Sequence, residues 1–131
     1  MKDATADMAH ATEVLRRCGD RLTLLTGDDF TVLPFLALGG SGAVSVASNV
    51  HPALMAQLVR ATRSGDLATA RTLNAKLFPL FDALFIETNP IPLKAAMASM
   101  GLLEDELRLP LCPMSEGARS ALTSALAFAS S

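Results

Sequence analysis

The sequence predicts an α/β chain in which short strands alternate with helices, followed by a wholly helical appendix. Three observations predict it. Two brief apolar runs, Leu22-Thr23-Leu24-Leu25 and Ala43-Val44-Ser45-Val46-Ala47, are each preceded by a stretch that reads as a helix. From His51-Pro52 onward only helical patterns follow. Half of the 131 residues are hydrophobic, enough for a substantial core in one domain.

Each element has a local reason. Met8, Ala11, Val14, Leu15 and Cys18 recur at helical spacing, and Gly19 follows as a stop. Leu22 to Leu25 is the short apolar run expected of a strand covered on both faces. Thr26-Gly27-Asp28-Asp29 is a turn into a second helix that ends near Leu38. Pro34 lies within that segment, so the helix starts late or kinks there. After Gly39-Gly40-Ser41-Gly42, the β-branched valines of Ala43 to Ala47 predict the second strand.

His51 reads as a cap, with Pro52 at the first helical position. That helix runs to about Ser64 and stops at Gly65. Asp66 caps the next, which continues towards Ile86 with a kink expected at Pro79. A helix from about Pro92 to Met100 ends at Gly101, "LRLPLCP" reads as extended, and a last helix spans about Glu116 to Ala129. Strands alternating with helices imply parallel pairing and right-handed crossovers. Two strands alone do not make a covered sheet, so the pattern reads as the end of a larger α/β repeat.

Composition narrows the function. The net charge of −2 has both signs interspersed, which gives no basic surface for nucleic acid. The uncharged stretch from Phe30 to Val50 is long enough for a membrane span, but the Gly-rich turn divides it into two short buried elements. The polar N-terminus lacks an apolar signal region. Cys18 and Cys112 are far apart and read as reduced, partly buried thiols of a cytoplasmic protein.

Few residues have the makings of chemistry. A lysine amine attacks a carbonyl only when neutral, and an ordinary pKa near 10.4 leaves about one in 2,500 neutral at pH 7. Burial or a neighbouring positive charge activates it. By residue type alone, Lys2 fits either such a nucleophile or a solvated lysine at a chain end. Asp28 and Asp29 follow a strand end, where α/β proteins gather ligands, and they also fit helix caps. "GGSG" lacks the lysine of a phosphate loop, and His10 and His51 have no partner at ligand spacing, so neither metal nor cofactor is expected. The six methionines sit at core-type positions.

The order and spacing of "KDAT", "LLTGDD", "GAVSVASNV", "NPIPLKAAM" and "LRLPL" resemble the C-terminal half of the dihydrodipicolinate synthase family. These are pyruvate-dependent class I aldolases related to N-acetylneuraminate lyase. "NPIPLK" with "RLPL" resembles the synthase branch. The resemblance implies a partial (β/α)8 TIM barrel, from the end of strand 6 through helix 8, with a C-terminal helical extension. Residues 1–65 would be barrel and 66–131 extension. It implies a lyase that condenses pyruvate with aspartate semialdehyde through a lysine Schiff base, on the route to diaminopimelate and lysine.

By the same resemblance Lys2 is the Schiff-base lysine. Val44 offers a backbone carbonyl to pyruvate, and Gly27 lies beside the substrate space. The family's acid–base relay uses a tyrosine and a Gly-Thr-Thr-Gly-like loop. This chain has neither, so the resemblance implies a fragment inactive alone. Its expected partner is a missing N-terminal half-barrel or a homo-oligomer. The alternative is a non-catalytic assembly or regulatory partner built from a half-barrel, whose open strand edges would bind a homologue.

Overall fold

A computed structural model describes residues 1–130; Ser131, the last residue of the expected extension, lies outside them. Three very short parallel strands form one sheet: β1 (Lys2–Asp3), β2 (Leu25–Thr26) and β3 (Gly42–Ala43), in that spatial order. Helix α1 (Met8–Cys18) connects β1 to β2, and α2 (Val32–Ala37) connects β2 to β3. Four further helices follow: α3 (Pro52–Arg63), α4 (Leu67–Leu84), α5 (Ile91–Ser99) and α6 (Glu116–Ser130). The chain is therefore mostly helical; the parallel alternation of helix and strand is as expected, with one further strand, β1, ahead of α1.

The helix boundaries follow their caps. The Asp7 carboxylate accepts from the Ala9 and His10 amides at the start of α1, and α1 ends at Gly19, whose φ is 52°. Pro34 is tolerated because α2 begins only at Val32, leaving the proline in the first turn. Asp66 caps α4 by accepting from the Thr69 amide. Helix α4 then passes through Pro79, which has no N–H to offer the preceding turn. Four fully buried neighbours on α4, Leu77, Leu80, Phe81 and Leu84, offset this loss. Each such side chain contributes roughly 1.5–3 kcal/mol on burial, against about 3 kcal/mol for an internal proline.

Two cores form. Ala11 of α1, Leu24 before β2 and Phe35 of α2 make a small one. The larger one unites α2, α3, α4, α5 and α6, including Val32, Met55, Leu58, Leu77, Phe81 and Leu122. Polar ties brace the last segment. Glu87 Oε1 accepts from the Ser115 amide at 3.2 Å and its hydroxyl at 2.6 Å. Arg119 pairs with Asp105 at 2.6 Å, and Lys94 Nζ donates to the Glu106 carbonyl.

Several expectations need correction. The two expected strands are shorter and shifted: β2 starts at Leu25, β3 ends at Ala43, and Ala47–Asn49 is a 3₁₀ turn. Parallel strands whose helices pack closely need only a few ladder bonds, and apolar runs overstate their length. A third strand, Lys2–Asp3, is too short for any periodicity to reveal. "LRLPLCP" makes a turn at Leu109–Pro110, where the peptide bond is cis; Asn89–Pro90 is cis as well. His51 holds the N-cap position of α3 but makes no side-chain cap; its Nε2 lies 3.4 Å from Ser130 Oγ. Cys112 is exposed, whereas Cys18 is half-buried.

Candidate functional site

The sheet register brings the three sequence-identified residues to one end of the strands. Lys2 pairs with Leu25, which pairs in turn with Gly42; Asp3 pairs with Thr26, and Thr26 with Ala43. Because alternate residues of a strand face opposite ways, Lys2, Leu25 and Gly42 share one face, while Asp3, Thr26 and Ala43 share the other. Leu24 and Thr26 turn towards the helices, and both are buried. Two residues beyond the Lys2 row, Ala4, Gly27 and Val44 form the next row on the same face.

The ladder fixes that row. The Leu25 amide donates to Met1 O at 2.9 Å, Gly27 to Asp3 O at 2.6 Å, and Val44 to Thr26 O at 2.7 Å. The terminal ammonium of Met1 donates to Thr23 O at 2.7 Å, so the first residues are bonded into the sheet and not frayed. The Lys2 alkyl stem runs across Gly27. A Cβ at position 27 would overlap Lys2 Cε and come within 3.1 Å of Lys2 Cγ and 3.0 Å of Ala4 Cβ. Glycine at 27 is what leaves the lysine stem on this course, since any Cβ there would push Lys2 Cε aside. Lys2 itself is exposed, so the described residues do not desolvate its amine.

Three carboxylates organise the turns at this end. Asp3, buried at 6% exposure, accepts from the Thr5 amide at 2.9 Å. That backbone hydrogen bond holds its pKa below the ordinary value, with smaller help from the Thr5 side chain and from His10, against the opposing effect of burial. Asp28 accepts from the Thr31 amide at 3.0 Å and the Thr31 hydroxyl at 2.7 Å, which closes the turn into α2. Asp29 does not cap its own helix. Its Oδ2 reaches the next connection and accepts from the Val46 and Ala47 amides at 3.0 and 2.9 Å.

Asp29 is 1% exposed, and its Oδ1 is buried with no hydrogen-bond partner among the described residues. Burial pushes its pKa up; the Ser45 hydroxyl and the two amides pull against that rise, and Asp28 adds to it. The Ser45 hydroxyl lies near the carboxyl and favours its charge, at a geometry that leaves Oδ1 without a hydrogen bond. Phe30, next in sequence, packs against Phe78, Phe81 and Phe85 with ring centroids 5.5, 5.9 and 5.8 Å away. Sequence reasoning assigned Phe30 no role. Its place directly after a strand-end turn was the available signal.

An apolar groove of about 420 Å³ runs along β3 and α3, lined by Leu25, Ala43, Ser45, Met55 and Val59 among others. Lys2 is not among its walls, so the groove lies apart from the amine. Among the described residues no three His, Cys, Asp or Glu side chains gather to hold a metal ion. No described helix is long and apolar enough to cross a membrane.

The 4-hydroxy-tetrahydrodipicolinate synthase of Thermodesulfovibrio yellowstonii is 52% identical over 126 residues, which cover 96% of this chain and 43% of that protein. The crystal structure of the dihydrodipicolinate synthase of Aquifex aeolicus is 43% identical with a TM-score of 0.93, covering 96% of this chain and 43% of its own. The Methylacidiphilum fumariolicum SolV enzyme matches at 40% identity and a TM-score of 0.95, over 98% and 43%. The chain thus spans under half the length of these relatives, whose solved structures are TIM-barrel enzymes. Residues 1–129 match the dihydrodipicolinate synthetase family, and the chain belongs to it.

Proposed function

We propose that this chain supplies the Schiff-base lysine of a lyase that condenses pyruvate with aspartate semialdehyde, on the route to diaminopimelate and lysine. The observation that carries the reading is the row at the strand ends, where Lys2 crosses Gly27 and Val44 follows β3. TIM barrels place their chemistry at the C-terminal ends of their strands. In this reading β1, β2 and β3 are strands 6, 7 and 8 of such a barrel. Residues 1–65 belong to the barrel and 66–131 to its helical extension.

The neutral Lys2 amine adds to the keto carbon of pyruvate, forming a C–N bond. The former carbonyl oxygen takes up protons and leaves as water, giving an iminium. A methyl proton passes to a base, and the resulting enamine carbon bonds to the aldehyde carbon of aspartate semialdehyde, whose oxygen takes up a proton; attack of water or of the substrate's own amine on the regenerated iminium then breaks the C–N bond and frees Lys2. Val44 contributes its backbone carbonyl to pyruvate, and Gly27 leaves room for the lysine and the substrate. The chain contains no tyrosine. The base, the pyruvate carboxylate site and the desolvation of Lys2 therefore come from protein matching the rest of the relatives' length. Losing general acid–base help costs on the order of 10²–10⁴-fold in rate.

A second reading, a non-catalytic assembly partner, draws on the strand order. β1 and β3 are the outer strands of the sheet, and such edges template pairing with another chain. Mixing the chain with the complementary N-terminal portion of a relative separates the two. The lyase reading predicts condensation of pyruvate with aspartate semialdehyde in the mixture. A stable mixed complex without turnover, given a correctly folded partner, supports the assembly reading and contradicts the lyase one.

A further inference from the structure

Among the described residues, Asp29 is the one buried carboxylate that ties two strand-end connections together. Its backbone belongs to the connection after β2, and its Oδ2 holds the Val46 and Ala47 amides in the connection after β3. On the other side of Val44, the Val44 amide is bonded to Thr26 O, also on the β2 side. The four residues from Val44 to Ala47 therefore hang between two attachments to the segment that runs from Thr26 to Asp29. The same segment contains Gly27, over which Lys2 passes. Phe30 anchors it from behind, against three phenylalanines of α4 and the residue after it.

We propose that Asp29 is a positioning residue for the keto-acid pocket: by holding the Val46 and Ala47 amides, its carboxylate fixes the Val44 backbone relative to Lys2. This rests on the Schiff-base reading of Lys2 and Val44. Burying a carboxylate with an unpartnered oxygen is unfavourable, and a neutral residue would avoid that cost. A charged acceptor holds two amides more firmly than a neutral one. Asp28 beside it serves only its own turn, through Thr31, and so provides the internal control.

The test uses the full chain together with the complementary N-terminal portion of a relative, in wild-type, Asp29→Ala, Asp29→Asn and Asp28→Asn forms. Reductive trapping of pyruvate at Lys2 is followed against pyruvate concentration, and amide exchange is followed at Val44, Val46 and Ala47. Asp29→Ala is expected to raise the half-saturating pyruvate concentration about tenfold or more, the loss of a charge-assisted hydrogen bond. The maximal trapping rate stays within about twofold, because the amine keeps its surroundings. Asp29→Asn, which retains a neutral acceptor, falls between Asp29→Ala and the wild type, and Asp28→Asn leaves the value unchanged. A purely structural role would not split saturation from rate in this way.

A half-saturating concentration unchanged in Asp29→Ala, or a fall in maximal rate alone, overturns the proposal. Absence of trapping in the wild-type chain sinks the Schiff-base reading instead. Amide exchange then decides the clamp: faster exchange at Val44 as well as at Val46 and Ala47 supports it, and unchanged Val44 contradicts it. If Asp29→Ala does not fold, Asp29→Ser, one atom too short to hold both amides, takes its place with the same outcomes.

Discussion

Gly27 lies so close over the stem of Lys2 that a methyl group at position 27 would overlap Lys2 Cε and stand 3.1 Å from Cγ. Lys2 Cε is the far end of a flexible side chain and can swing aside, while Ala4 Cβ, 3.0 Å away, has to give by only a few tenths of an ångström. Gly27→Ala is therefore expected to fold with a change of less than about 1 kcal/mol, within the range of mild substitutions. The amine, however, is displaced. A misplacement of about 1 Å costs on the order of 10²-fold in a positioned reaction, so pyruvate trapping at Lys2 should fall about that far. Unchanged trapping with intact folding would show that the lysine does not work from this course.

Asp3 gives a pH dependence with a definite sign. Its folded-state pKa lies below the ordinary 3.8, chiefly through the hydrogen bond from the Thr5 amide. The ionised form is therefore favoured by folding. Its stabilisation is fully present above about pH 3.8 and is lost as pH falls through the lower folded value. Urea titrations between pH 2 and 5 are expected to show a steeper acid loss for the wild-type chain than for Asp3→Asn. Parallel curves would remove Asp3 from the acid response.

Phe30 joins the site to the helices. It touches three rings at centroid distances below 6 Å, and edge-to-face pairs add about 0.5–1.5 kcal/mol beyond burial. It is only half-buried, so Phe30→Ala falls below the 3–5 kcal/mol of a fully buried phenylalanine. A loss of about 2 kcal/mol in chemical denaturation is expected, with faster amide exchange around Asp29. A loss below about 0.5 kcal/mol would mean that the ring cluster does not anchor this segment.

Ala6 adopts φ 57°, the left-handed region, between the first strand and the Asp7 cap. A side chain there costs about 1–2 kcal/mol, which glycine removes. Glycine also raises unfolded-state freedom, a loss of about 0.4–1 kcal/mol. The strain term wins, and Ala6→Gly is expected to leave stability unchanged or raise it by up to about 1 kcal/mol. A fall in melting temperature would contradict this balance.

The helices were largely legible because their signals are local and repeated. Met8 to Cys18 carries both its apolar spacing and its stop, and Asp66 announces α4 by a cap that the structure contains. The strands were less legible. Each is two residues long, held in place by neighbours rather than by its own pattern, so Lys2–Asp3 shows no period and the valines of Ala43 to Ala47 extend beyond the strand that forms. Asp28 and Asp29 were legible as turn-end carboxylates but not as different things. Only the fold reveals that Asp28 serves the adjacent Thr31 while Asp29 reaches 17 and 18 residues ahead. Gly27 was legible as a residue of the site through resemblance, but its steric reason, the stem of Lys2, is a contact between distant positions.

The central claim is tested most directly by locating the pyruvate adduct. The chain has three lysines, Lys2, Lys76 and Lys94. With the complementary barrel portion present, borohydride reduction in pyruvate followed by peptide mass spectrometry is expected to place the adduct at Lys2 and to lose it in Lys2→Arg. An adduct at Lys76 or Lys94 that persists in Lys2→Arg would contradict the account.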